Sequence, residues 1–232
     1  MKLFTFGCSF TEGQGLDIKN EVPYTNTLAN KLGIKSFNLG ACGMSNDYVY
    51  RKTFELIQNY ISKEDIILIQ WTHYIRKEFK FKHNDRNYYH IAPHNHQASR
   101  DKVLNILIKH NIRIETEYGK ESFDPLIEEK EVVKLNKNFI DEFSLKMLHD
   151  DYQIETTSNY IKGLYSYLEL NNYKHLHFFG WDDCMIPINY DKILKETFGG
   201  YTNTITGGHP NQKQHIVWAD YLYEQLVKLK YI

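Results

Sequence analysis

The sequence has almost no net charge, no long apolar run and few cysteines, and each shortage removes a class of function. Its 28 Lys and Arg against 29 Asp and Glu leave a formal charge of -1, so no global field draws it toward nucleic acid or an anionic membrane. No stretch of about 18 consecutive apolar residues occurs, so no membrane-spanning helix is expected. The apolar start, Leu3 to Phe6, meets Gly7 too soon to form the apolar region of a secretory signal, and a cytoplasmic protein is the expectation. Cys8, Cys42 and Cys184 are odd in number and lack metal-ligand spacing, which points to reduced thiols and to no metal or cofactor. Internal repeats and low-complexity tracts are also missing.

What is present suits one domain: 232 residues can bury a substantial core without covalent staples. Aromatic residues make up 15% of the chain, with 18 Tyr. These fit tyrosines packed at a core margin or an aromatic-walled groove.

The local pattern alternates. Leu3 to Phe6 reads as a first strand ended by Gly7, and Val22 to Leu32 as a helix bounded by Pro23 and Gly33. Ser36 to Leu39 offers a second strand. Ser45 then suits a helix cap before an apolar face formed by Tyr48, Phe54, Leu56, Ile57 and Ile61. Asp65 to Trp71 is the clearest strand, a continuous apolar run of the kind buried on both faces of a parallel sheet. Tyr152 to Leu170 reads as a helix, His175 to Gly180 as a strand and Tyr190 to Phe198 as a short helix. A last helix is expected from Pro210, with Ile216, Ala219, Tyr223 and Leu226 on one face. The order predicts an α/β fold, three layers around a doubly wound, mainly parallel, flavodoxin-like sheet, in a single domain 1–232. Residues 76–151 lose this periodicity and are expected to form an insertion serving as lid or substrate wall.

Ser9 in Gly7-Cys8-Ser9-Phe10-Thr11 follows the first strand, at the sheet edge where such folds gather ligands. A serine hydroxyl needs a base to remove its proton and pre-placed donors to hold the developing oxyanion. His209, in Thr206-Gly207-Gly208-His209-Pro210-Asn211, precedes the last helix and can project over that same edge. Gly40 and Gly43, in the loop after the second strand, allow backbone N–H groups close approach to a substrate oxygen.

Taken together, these three blocks resemble those of the SGNH, or GDSL, hydrolases, in a variant whose first block reads Gly-Cys-Ser-Phe-Thr. The resemblance implies an SGNH-type fold, Ser9 as nucleophile, His209 as base, and N–H groups of Ser9 and Gly43 as the oxyanion hole. It spans nearly the whole chain. Two positions depart from the family pattern. The asparagine expected beyond the third strand is replaced in Gln70-Trp71-Thr72-His73, which leaves Thr72 as the candidate donor. The aspartate expected three residues before the base is Thr206. A neutral threonine cannot stabilise imidazolium as a carboxylate does, so Ser9 and His209 act as a dyad or another acid substitutes, with Asp182 and Asp183 as candidates. Each of those two also fits a turn or helix cap.

The remaining residues read more simply. His83, His90, His94 and His96 have no partners spaced to complete a zinc site. His175 and His177 share one face of a strand and suit packing. His215 is a second candidate base or a packing residue on the last helix. Asn46 and Asp47 resemble the family's Asn-Asp pair but follow the second strand, where helix capping is expected. A cluster of Lys and Arg at 76–82 is the only feature suggesting nucleic acid, and the near-zero net charge opposes it. The expected function is therefore a serine ester hydrolase acting on a small or carbohydrate O-acyl ester. An O-acyltransferase, or a binding scaffold with reduced catalysis, is the alternative.

Overall fold

The computed structural model describes residues 1–17, 19–83, 86–92, 150–202 and 208–232, and the side chains of these except 79–92, 150 and 184. Four strands, β1 (Lys2–Gly7), β2 (Lys35–Gly40), β3 (Ile66–Trp71) and β6 (Lys174–Phe179), form one sheet in the order β2-β1-β3-β6. Every pairing in it is parallel. The protein thus has the α/β architecture that the alternating pattern predicts.

Strand periodicity sorts the side chains between two cores. Phe4 and Phe6 of β1, with Ile67 and Ile69 of β3, enter the core beneath α3 (Asn46–Asn59) and α4 (Asp150–Leu170). Leu3 of β1, with Ile66 and Leu68 of β3, enters the core beneath α2 (Tyr24–Leu32) and α6 (Gln212–Lys228). Alternate residues of a strand point to opposite faces, so a strand buried at every position must be covered on both sides. That requirement makes β3, buried at all six positions, an interior strand.

The helix boundaries follow local chemistry. Ser45 caps α3 by accepting a hydrogen bond from Tyr48 N, and Gly33 ends α2 in the left-handed region at φ 63°. Asn211 caps α6 in a reciprocal box with Gln214. Pro23, at the start of α2, has no side-chain oxygen to offer; His215 Nδ1 accepts from Tyr24 N at 3.0 Å in its place. The second candidate base is therefore fully buried and serves as a cap supplied by another helix.

Two expected features differ. Residues 190–197 form no helix, because His177 N donates to Lys192 O and Leu194 N to His177 O, pairing Ile193 with His177 in a parallel bridge. This short extended piece extends the sheet edge beside β6, and helix α5 begins only at Phe198 (Phe198–Tyr201). The last helix buries His215, Trp218, Ala219, Leu222 and Leu226, while Ile216 and Tyr223 are exposed. Ala219 and Leu226 face inward as expected, while His215 and Leu222 take the inward places expected of Ile216 and Tyr223.

Of the expected insertion, the described part opens with an antiparallel hairpin of β4 (Lys77–His83) and β5 (Arg86–Ala92). Its root is tied to α3: Arg51 makes a two-pronged contact to Glu78 at 2.9 and 2.8 Å, and Asp47 accepts from Lys77 Nζ at 2.5 Å. A role as lid or wall, and the four histidines at 83–96, lie outside the described residues and side chains. Among the described residues, no helix is long and apolar enough to cross a membrane.

Candidate active site

Because the sheet is parallel, the C-terminal ends of its strands share one edge. The connections from β1 to β2 and from β3 to β6 run to opposite sides, which places the topological switch point between β1 and β3. Ser9 sits there, in the first turn of the short helix α1 (Ser9–Glu12), one residue, Cys8, beyond the end of β1.

Gln70, buried in β3, holds this turn in place. Its Oε1 accepts from Thr11 N at 3.1 Å and from Thr11 Oγ1 at 2.5 Å, and its Nε2 donates to Cys8 Sγ at 3.1 Å. Thr11 Oγ1 also meets Tyr24 OH at 3.0 Å. These contacts cross the space a side chain at Gly7 would fill: a Cβ there would come within 2.6 Å of Gln70 Oε1. The glycine of the first block is thus required by the close approach of β3's glutamine.

Ser9 is 2% exposed, and its hydroxyl donates to Cys8 Sγ at 3.9 Å, a weak bond that a substrate or base can displace. His209 reaches the same edge from a position 200 residues later in the chain. Its ring lies 5.8 Å, edge-on, from the ring of Phe10, Ser9's neighbour. No hydrogen bond joins Ser9 to His209 among the described residues. Partial burial and the charge of Arg76 hold the His209 pKa below its ordinary value, with Glu12 opposing. The shift favours the neutral ring, the form a general base must have.

The loop after β2 brings Gly43 to the edge with φ 76°, a left-handed conformation that glycine adopts without steric penalty. Next to it, Cys42 N donates to Glu12 Oε2 at 2.6 Å and Cys42 Sγ to Gln14 Oε1 at 2.7 Å. Burial and the Glu12 charge push the Cys42 thiol up to about 11, which makes it a poor nucleophile.

Thr72 is differently employed from a simple oxyanion donor. Asn46 clamps its backbone, accepting from Thr72 N at 2.8 Å and donating to Thr72 O at 2.9 Å. The cap of α3 is Ser45, so Asn46 has this bridging task and not the capping one its position suggests. Thr72 Oγ1 accepts from Arg76 Nη1 at 2.8 Å. Asp182 is hydrogen-bonded by the Thr197 hydroxyl, which itself caps α5. Among the described residues neither Asp182 nor Asp183 bonds to His209, and Thr206 lies outside them. Glu12 is the carboxylate whose charge bears on His209.

Gln70, Glu12 and Arg76 thus shape the candidate site without having been singled out for it by sequence, and Asn46 does so after being read as a helix cap. Glu12 lies one residue beyond the first block, which was the available signal. Gln70 offered another, as the one polar side chain in an otherwise apolar strand. Among the described residues no three His, Cys, Asp or Glu side chains are grouped to hold a metal ion.

No protein-family model matches the chain, and no curated protein matches it. Among solved structures it is similar to a protein from Desulfitobacterium hafniense assigned to the G-D-S-L lipolytic family. That pair is 12% identical with a TM-score of 0.34, over 96% of this chain and 98% of that one. It is also similar to a protein from Bacteroides fragilis assigned as an acylhydrolase, at 12% identity and a TM-score of 0.33, over 98% of this chain and 87% of that one.

Proposed function

We propose that this protein is a serine ester hydrolase on an SGNH-like scaffold. The observation that supports the reading is the packing of the His209 ring on Phe10, the residue after Ser9, at the switch point of a parallel sheet, with ring centres 5.8 Å apart. A serine and a histidine of this kind are the pair that acyl transfer requires.

In this mechanism Ser9 Oγ gives up its contact to Cys8 and attacks the acyl carbon as His209 takes its proton. The oxyanion is held by the N–H groups of Ser9 and Gly43. Collapse of the tetrahedral adduct breaks the ester C–O bond, and His209 returns the proton to the departing alcohol. Water, activated by the same imidazole, then releases the acyl group from Ser9. The substrate class is a small or carbohydrate O-acyl ester. Were an alcohol to enter in place of water, the same steps would make the enzyme an O-acyltransferase. His209 works as the base of a dyad, with the Glu12 carboxylate acting on it through space.

A binding scaffold is the competing reading. The absence of a carboxylate hydrogen-bonded to His209 among the described residues favours it, as does the commitment of Thr72 N to Asn46. Turnover decides between them. Purified protein is expected to hydrolyse 4-nitrophenyl acetate, and Ser9→Ala to lower kcat by at least about a thousandfold. Equal turnover by wild type and variant would remove Ser9 from the chemistry, and no turnover by either would favour the scaffold.

A further inference from the structure

Arg76 occupies a position that the hydrolytic steps above do not use. It follows the turn after β3, where Arg76 N donates to His73 O, and its guanidinium returns over the sheet edge. Nη1 donates to Thr72 Oγ1 at 2.8 Å and approaches Met44 O at 3.5 Å, one residue beyond Gly43. The guanidinium carbon stands 5.4 Å from the centre of the Trp181 ring. Trp181 in turn packs on Phe10 at 4.2 Å, and Phe10 meets His209. Arg76 and His209 therefore flank one aromatic pair at the mouth of the site.

Neither contact of Nη1 neutralises the cation, since one acceptor is a hydroxyl and the other a carbonyl. Among the described residues no carboxylate pairs with Arg76, and its Nε and Nη2 make no hydrogen bond. The nearby carboxylate, Glu12, is turned onto Cys42 N. A half-buried guanidinium whose Nε and Nη2 have no partner among the described residues, backed by an indole face, is suited to a carboxylate or phosphate.

The side of the substrate that meets it follows from the mechanism. His209 protonates the departing alcohol, so the alcohol portion must lie on the His209 side of Ser9, and the Trp181–Phe10 pair connects that side to the guanidinium. We infer that Arg76, backed by Trp181, is an anion subsite that selects esters whose alcohol portion carries a carboxylate or phosphate. This rests on the ester-hydrolase reading and adds a substrate class to it.

The test compares 3-acetoxybenzoate with its uncharged methyl ester, two acetyl esters differing in one charge. Wild type is expected to favour the anionic ester by about tenfold or more in kcat/KM at low ionic strength. That advantage should shrink as salt rises. In Arg76→Gln the ratio of the two kcat/KM values should fall to about one, and Arg76→Lys should keep part of it. The ratio cancels any loss of folded enzyme, so it reads charge recognition even in a destabilised variant. A wild-type ratio of one or less overturns the subsite, as does an unchanged ratio in Arg76→Gln. An equal loss of kcat on both esters with the ratio retained would show that Arg76 acts on the oxyanion and not on the alcohol, and would also overturn it. Failure to hydrolyse either ester, with Ser9 unreactive, would instead count against the hydrolase reading itself.

Discussion

Acid should weaken this fold well before its carboxylates protonate, and His215 is the residue in which the effect can be isolated. Its ring is fully buried, packed parallel to Tyr24 at 6.0 Å and edge-on to Phe198 at 5.1 Å. Nδ1 accepts from Tyr24 N, which requires the ring to be neutral with its proton on Nε2, where no partner is present among the described residues. Burial accordingly pushes its pKa down from 6.5 to about 4. Between those values the unfolded chain binds a proton that the folded chain refuses, so stability is full above pH 6.5 and falls as pH is lowered toward 4. Below that both states are protonated and the contribution is gone. The displacement corresponds to about 3 kcal/mol, a large share of the roughly 5–15 kcal/mol that holds a domain together.

In His215→Asn the amide oxygen can still accept from Tyr24 N but cannot titrate. At pH 7 the variant should be less stable by about 1–3 kcal/mol, from lost ring packing and a poorer hydrogen bond. The gap should close as pH falls to 4, because only wild type suffers the protonation penalty. Urea unfolding followed by circular dichroism at pH 7, 6, 5 and 4 measures this directly. A gap that stays constant across that range would refute the buried, neutral cap.

Three further outcomes follow from the site. Asn46→Ala removes both hydrogen bonds to Thr72 and leaves buried backbone groups unmet, so urea unfolding should show a loss of about 2–4 kcal/mol. The His209 ring should titrate below 6.5 by NMR; Arg76→Gln should raise that pKa by removing a like charge, and Glu12→Gln should lower it further. Cys42, buried and with its thiol pushed up to about 11, should react with iodoacetamide at pH 8 at least about tenfold more slowly than a free thiol.

The strands were legible because burial on both faces leaves no choice of composition: Ile66 to Ile69 could scarcely be anything but an interior strand. The caps at Ser45 and Gly33 were legible because their chemistry is local. Extended pairing at Ile193 was not, since it depends on the exposed edge of β6 some 16 residues earlier, which no local pattern encodes. Of the inward stripe of α6, Ala219 and Leu226 were legible, but His215 was not, because its burial is tied to a hydrogen bond from Tyr24 N that only the folded chain supplies. At the site, Ser9, Gly43 and His209 could be read as blocks, each within a few residues. Gln70 and Asn46 act across the sheet on backbone groups 59 and 26 positions away, so their tasks emerge only once β1, β2 and β3 lie side by side.

The central claim is that Ser9 is a nucleophile activated by His209, and covalent labelling tests it most directly. Wild-type protein treated with a fluorophosphonate should gain one adduct, located by peptide mass spectrometry on Ser9. The adduct should be lost in Ser9→Ala and form at least about a hundredfold more slowly in His209→Ala. A folded wild-type protein that remains unlabelled at Ser9, or labels equally fast without His209, would contradict the account.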